Sequence, residues 1–345
     1  MGVNVTLLLA LSCTVLYFTV AGGSSRGSAV APDFLANPSV SASVSASVPT
    51  KAEIMSGTGD YFGLSSPQAP WSRTEITSLS GQAGARPGML EYFVNWTEEF
   101  RPQAVVASYA QGCVPVISWE PWAGLQAGTS QPAYSLARIT SGAYDGYIAR
   151  FATAVRDQRW PVVIRLAHEM NGTWYPWAES MSGNQAGQYA QMWRHVHDIF
   201  ARVGATNVIW LWSPNIVRPV PDVQLHPLYP GDDYVDWIGM VGYQATEETT
   251  AAQTFDLTVK KIRGFTQKPV LITETGAAPG PNQAAWTANL FDWLAGRHDV
   301  VGFIWFEYDK ADTGTKDWRF TTVPDTLHAF QHGIGRLTLA NPVRG

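Results

Sequence analysis

The sequence predicts an α/β protein: a single (β/α)8 TIM barrel preceded by an export segment and a disordered linker. Three observations lead there. Eight apolar runs of about strand length recur between residues 61 and 306. Amphipathic spans of helical length separate most of them, the alternation that builds a parallel sheet with helices outside. The first run lacks the glycine-rich phosphate turn that opens a doubly wound nucleotide-binding sheet.

The strands are expected at Tyr61–Ser65, Leu90–Asn95, Val114–Trp119, Val162–Ala167, Asn207–Trp212, Val235–Val241, Val270–Thr273 and Val301–Phe306. The clearest helical spans are Thr97–Gln111, Tyr144–Gln158, Asn184–Val203, Thr249–Phe265 and Gln283–Gly296. The first connection carries a weak helix signal. The fifth, Ile216–Asp233, is proline-rich and reads as mostly loop.

Ahead of the barrel, residues 1–21 contain an uncharged apolar run, Val5–Ala21, read as a signal peptide or membrane anchor; the small residues Thr19-Val20-Ala21 suit a cleavage site. Residues 22–54 are rich in Ser, Ala and Pro and too poor in large side chains to bury a core, so they read as a tether. The catalytic domain is expected over 55–345. The protein is therefore expected outside the cytoplasm, secreted or at the cell surface, with membrane attachment through the apolar segment as the alternative.

Composition narrows the function. With 46% hydrophobic and 15% charged residues the chain can bury a substantial core. A net charge of −5 and no run of Lys or Arg argue against nucleic acid. Cys13 and Cys113 offer no zinc spacing, and His195 and His197 sit on a helix, so no metal and no cofactor are expected. Fifteen tryptophans exceed what packing needs, and those near strand exits suggest a ligand cleft lined with rings.

Function in such a barrel sits where strands end. The third strand exits into Trp119-Glu120-Pro121-Trp122. The fourth, which carries Arg165, delivers His168 and Glu169, then Asn171-Gly172, Trp174 and Trp177. The sixth ends on Tyr243, the seventh on Glu274, and the eighth offers Trp305. Two carboxylates ending buried strands, beside a shelf of rings, suit hydrolysis of a glycosidic bond. That reaction takes one carboxylic acid to protonate the leaving oxygen and a second carboxylate on the opposite side. Glu169, next to His168 and the rings, is expected to hold its proton and act as acid/base. Glu274, within reach of Arg165 and Tyr243, is expected to stay ionised as nucleophile.

The segment RLAHEMNGTWYPW (Arg165–Trp177) resembles the acid/base motif of glycoside hydrolase family 26. Tyr229–Tyr243, LITETG (Leu271–Gly276) and GFIWFE are similar to further segments of that family, in the same order. The resemblance runs from about Tyr61 to His332. It implies a retaining (β/α)8 enzyme with Glu169 as acid/base, Glu274 as nucleophile, Tyr243 hydrogen-bonded to the nucleophile, and Trp305 in the floor of the −1 sugar site. His168, Asn171, Arg165, Trp119, Glu120, Trp122, Trp174 and Trp177 are the other candidate substrate contacts. The family includes β-1,4-mannanases, mixed-linkage β-glucanases and β-1,3-xylanases. Tyr175-Pro176-Trp177 looks more like the mixed-linkage (lichenase-like) branch than the mannanase one. The expected partner is thus a β-linked polysaccharide or oligosaccharide, acted on by a monomer. Endo-β-1,4-mannanase and a non-catalytic carbohydrate-binding barrel are the alternatives.

Overall fold

A computed structural model describes residues 48–343. The export segment and most of the tether lie outside the described residues. Eight parallel strands close on themselves in chain order. They are β1 Tyr61–Ser65, β2 Met89–Asn95, β3 Val114–Glu120, β4 Val162–Leu166, β5 Val208–Trp212, β6 Trp237–Val241, β7 Val270–Thr275 and β8 Val300–Phe306. The expected strands are all present. β3 and β7 run on far enough to carry Glu120 and Glu274 within the sheet itself.

Folded structure begins earlier than Met55. Helix α1 (Lys51–Met55) is nucleated by a capping box, with Thr50 accepting from the Glu53 N–H and Glu53 reaching back to the Thr50 N–H. Lys51 then reaches the Val208 carbonyl at 2.6 Å and Asp236 at 2.7 Å, while Ile54 is buried. A short polar stretch is thus pinned across the entry of β5 and β6 by contacts distant in sequence, which composition does not reveal.

The outer layer follows the expected plan with shifted ends. Helices α2 (Arg73–Ala83) and α3 (Pro102–Tyr109) follow β1 and β2. The short α4 (Leu136–Thr140) and then α5 (Asp145–Gln158) follow β3, and α6 (Gln188–Val203) follows β4. After β6, β7 and β8 come α7 (Ala251–Ile262), α8 (Gln283–Ala295) and the pair α9 (Lys310–Thr313) and α10 (Pro324–Ile334). Pro102, lacking an N–H, sits in the first turn of α3 and sets its start later than Thr97. Helix α2 gave little signal because it buries only Ile76, Leu79 and Ala83, and its ends are fixed by the Ser72 cap and by Gly84 at φ 74°. The β5–β6 connection has only 3₁₀ turns, at His226–Leu228 and Asp232–Tyr234, as its prolines require.

Side chains alternate along each strand, one set facing the helices and the other the barrel axis. Most inward positions are apolar, but one layer is not. There Glu91 of β2, Ser118 of β3 and Arg165 of β4 meet Ser213 and Thr273, just past β5 and on β7. Gly239 of β6 faces this layer and leaves it room, since a Cβ there would stand 2.5 Å from the Ser213 Cβ and 2.9 Å from the Thr273 Cγ2. Gly239→Ala should therefore destabilise the protein by about 1–3 kcal/mol through overpacking. A lowered urea midpoint at unchanged slope is the expected reading; an unchanged midpoint would show that the layer yields freely.

Candidate active site

Glu169 reaches the barrel mouth through an unusual backbone. Ala167 and Glu169 have φ of 45° and 54°, a region that L-residues rarely adopt. The Glu169 N–H donates to the Ser213 carbonyl at 2.7 Å, and Gly172 N–H closes the turn onto the Glu169 carbonyl at 2.9 Å. Gly172 has a second task. A Cβ there would lie 2.5 Å from the Trp174 ring, so the missing side chain lets the indole cross back over the turn. Trp174 then donates from Nε1 to Glu169 Oε2 at 2.6 Å, and Asn215 Nδ2 donates to Oε1 at 2.5 Å. Burial is the largest influence on this carboxyl, followed by the charge of Glu274; together they push its pKa up to about 7 against the two hydrogen bonds and Arg165.

Glu274 differs in having a charged donor. Arg165 Nη1 donates to its Oε1 at 2.5 Å and the Tyr243 hydroxyl to its Oε2 at 2.8 Å. Both oxygens are thus engaged by donors, one of them a fully buried guanidinium. Burial works against the charge of Arg165, but Glu274, Glu91 and Glu169 outweigh it and raise its pKa beyond the ordinary arginine range.

His168 lies beside Glu169 in sequence. Its Nε2 is 3.1 Å from Glu120 Oε1, and Trp122 Nε1 donates to Glu120 Oε2 at 3.1 Å. Burial first, then Arg165, holds His168 well below its usual range, and burial pushes Glu120 up to about 8 despite its hydrogen bonds. At neutral pH this is a hydrogen bond between two uncharged groups. Tyr175 and Trp177 stack at 4.4 Å with planes 10° apart, and both present their rings to the His168 edge.

The structure therefore gathers Glu169, Glu274, Arg165, Tyr243, His168, Glu120 and Trp174 at one mouth. Trp122 and Trp177 are buried beneath it and act as supports, with the Trp177 N–H spent on the His168 carbonyl at 2.6 Å. Asn171 also works at one remove. Its side chain exchanges two hydrogen bonds with the Asn215 backbone, at 2.9 and 2.8 Å, and so sets the amide that holds Glu169.

Two expected contacts are corrected by strand alternation. Trp119 lies one residue from the inward-facing Ser118 and Glu120, so it faces the helices. There it stacks on Phe151 at 4.3 Å and donates to the Tyr147 hydroxyl. Trp305 is likewise outward and fully buried, with ring edges against Phe320 and Phe330 and its N–H on the Trp318 carbonyl at 2.9 Å. The ring beside Tyr243 is instead Trp318, 4.5 Å away, from the segment after β8. Asn215, just past the fifth strand, is at the mouth as its place in WLWSPN implies, whereas Trp318 and Glu91 are not marked as site residues by the sequence. Glu91 did leave a trace, as a carboxylate in the middle of the buried strand LEYFVN. Trp318 sits in a loop with no periodicity to mark it.

Comparison with known proteins agrees with this geometry. The model of glycosyl hydrolase family 26 matches residues 132–299, which contain Arg165, Glu169, Tyr243 and Glu274. The Endoglucanase H of Acetivibrio thermocellus is 31% identical over 277 residues, 76% of this chain. The chain belongs to glycosyl hydrolase family 26. A second relative is the Beta-1,3-xylanase TXYA of a Vibrio species, 28% identical over 206 residues, 53% of this chain. The matched regions span 29% and 42% of those two relatives. Among solved structures, a β-mannanase from a symbiotic protist of the termite Reticulitermes speratus, complexed with gluco-manno-oligosaccharide, shares the fold. Its TM-score is 0.60 at 18% identity, covering 86% of this chain and 96% of that one. Among the described residues no cluster of His, Cys, Asp and Glu could hold a metal ion, and no helix is long and apolar enough to cross a membrane.

The two donors on Glu169 make a testable difference. Trp174→Phe keeps a ring but removes the N–H that favours the carboxylate, so the alkaline limb of the family 26 protein's activity should move above pH 7. A limb that stays in place or falls would show that this hydrogen bond does not set the acid. Trp305→Phe should instead lower the unfolding free energy by about 1–3 kcal/mol and leave KM unaltered.

Proposed function

We propose that this protein is an exported, retaining β-glycoside hydrolase that cleaves a β-linked polysaccharide by double displacement. The observation that carries the reading is the contrast between the two carboxyls. Burial and the charge of Glu274 push the pKa of Glu169 up to about 7, whereas Glu274 accepts hydrogen bonds from the buried Arg165 guanidinium and the Tyr243 hydroxyl. A carboxyl raised by burial suits the acid, and one bonded to a buried guanidinium suits the nucleophile. Glu274 attacks the anomeric carbon while the glycosidic C–O bond breaks, and Glu169 gives its proton to the departing oxygen. A water that Glu169 deprotonates then frees the sugar with its configuration retained. Trp174, half-buried against the acid, offers a ring on which a pyranose can stack.

For the substrate, a mixed-linkage β-1,3-1,4-glucan is the first reading. The long match to an endoglucanase supports it, as does Tyr175-Pro176-Trp177, whose stacked rings shape the wall next to His168. Endo-β-1,4-mannanase is the second, since the same carboxyls and the same Trp174 shelf serve a mannan equally well. The apolar run Val5–Ala21 supports export, and a monomer is the expected solution state.

Glu274→Ala should abolish turnover in a folded protein; activity within tenfold of wild type, about 1.4 kcal/mol of barrier, would remove Glu274 from the nucleophile role. The first-formed product should be the β anomer by NMR, and an α product would mean inversion. Reducing-sugar release from barley β-glucan, lichenan, glucomannan, galactomannan and β-1,3-xylan, with Glu169→Gln as the blank, separates the substrates. Galactomannan cleavage without β-glucan cleavage would overturn the first reading in favour of the second.

Against pH, Glu169 must be protonated to act as acid, and its raised pKa keeps it so up to about 7. The kcat/KM should therefore fall as pH rises through about 7, a limb that Glu169→Gln lacks on substrates whose leaving group needs no proton. Persistence of the limb in that variant would assign it elsewhere.

A further inference from the structure

The double displacement just described has no use for Glu91, yet this carboxylate is fully buried and hydrogen-bonded to the same nitrogen as the nucleophile. Arg165 Nη1 lies 3.0 Å from Glu91 Oε1, 2.5 Å from Glu274 Oε1 and 3.0 Å from the Ser118 hydroxyl. Ser118 itself donates to Glu91 Oε1 at 2.7 Å. The other oxygen, Oε2, is buried and finds no hydrogen-bond partner among the described residues. One cation is thus shared by two carboxylates, and only one of them takes part in the chemistry.

We propose, resting on the retaining reading, that Glu91 is a positioning residue that becomes the counter-ion of Arg165 when Glu274 is consumed in the covalent step. As Glu274 bonds the anomeric carbon, the electron pair of the broken C–O bond leaves with the aglycone oxygen, and the Glu274 carboxylate becomes a neutral ester. Arg165 stays charged and fully buried, and an uncompensated buried charge is strongly unfavourable. Glu91, already in contact, meets the need. A proton it carries in the resting protein passes to solvent as the ester forms, and one returns when water releases the sugar.

The resting state agrees with a carboxyl that changes charge. Burial pushes Glu91 up to about 7, Arg165 opposes that, and the charge of Glu274 adds to it. Esterification removes the Glu274 charge and so favours ionised Glu91. The groups facing it are Arg165 from β4, Ser118 from β3, Glu274 from β7 and Tyr308 from beyond β8, which feels the charge of Glu91 in turn. Tyr308 is held neutral by burial, so Arg165 and Glu274 are the charges that matter.

The consequence is a split between the two chemical steps. Glu91→Gln keeps shape and hydrogen bonds but cannot ionise, which disfavours the glycosyl-enzyme relative to the free protein. The probes are the 2,4-dinitrophenyl 2-deoxy-2-fluoro-β-glycosides of cellobiose and mannobiose, with labelling and reactivation followed by intact mass. Both are first-order processes read on folded protein, whatever its yield. In Glu91→Gln, labelling should slow at least tenfold while reactivation of labelled protein is unchanged or faster. Glu91→Asp, which retains the charge, should keep the wild-type balance between the steps. The proposal is overturned if both steps slow together in Glu91→Gln, if neither changes, or if Glu91→Asp shows the same split. Wild-type protein that takes no label from either probe would instead overturn the retaining reading beneath it.

Discussion

A single guanidinium held away from water sets the terms for this barrel. Arg165 sits inside β4, where solvent cannot stabilise its charge, so the strands around it must. Glu91 comes from β2, Ser118 from β3, Ser213 from beyond β5 and Glu274 from β7. Glu91 and Ser118 are inward positions of their strands, Ser213 follows β5, and Glu274 reaches the same point where the register of β7 against β8 is irregular. The glycine on β6 belongs to the same constraint, since any side chain there would displace the partners. Replacing such a cluster by apolar residues is often neutral or stabilising for a fold, whereas removing one partner is costly. Its retention in the middle of the barrel is therefore best understood through what it does to Glu274.

Around that fixed charge the mouth gathers groups whose proton affinity burial has shifted. Glu169 and Glu120 are both raised by burial, and His168 is kept neutral by burial and by Arg165. Glu274 takes the charged donor. The result is a site with few net charges and many directed hydrogen bonds, where each added charge would be felt strongly because water is excluded.

How much of this the sequence disclosed depends on which physical signal each residue leaves. Apolar runs ending in HE and TETG mark both the strands and the two carboxyls, because buried strands must be apolar and site residues must sit at their ends. Arg165 and Tyr243 follow from the same placement. What failed was parity. Trp119 and Trp305 are next to the mouth in sequence, but a strand turns successive side chains to opposite faces, and both rings belong to the helix-facing side. Alternation from Glu120, and from Glu91 within LEYFVN, was present to be used. Trp318 is of another kind. It lies beyond a strand end, and its position comes from long-range contacts that no local pattern encodes. The same holds for α1, whose place depends on Lys51 reaching β5 and Asp236.

The close passage of Trp174 over Gly172 has a consequence for how this site can diversify. In the proposed reaction one indole supplies both a face for a sugar ring and the N–H on the acid, and its path exists only because residue 172 has no side chain. Grip on the sugar and proton affinity of the acid are therefore not independent variables. A lineage that reshapes this shelf for a different ring retunes its working pH in the same step, and adaptation to a new acidity alters what the shelf will hold.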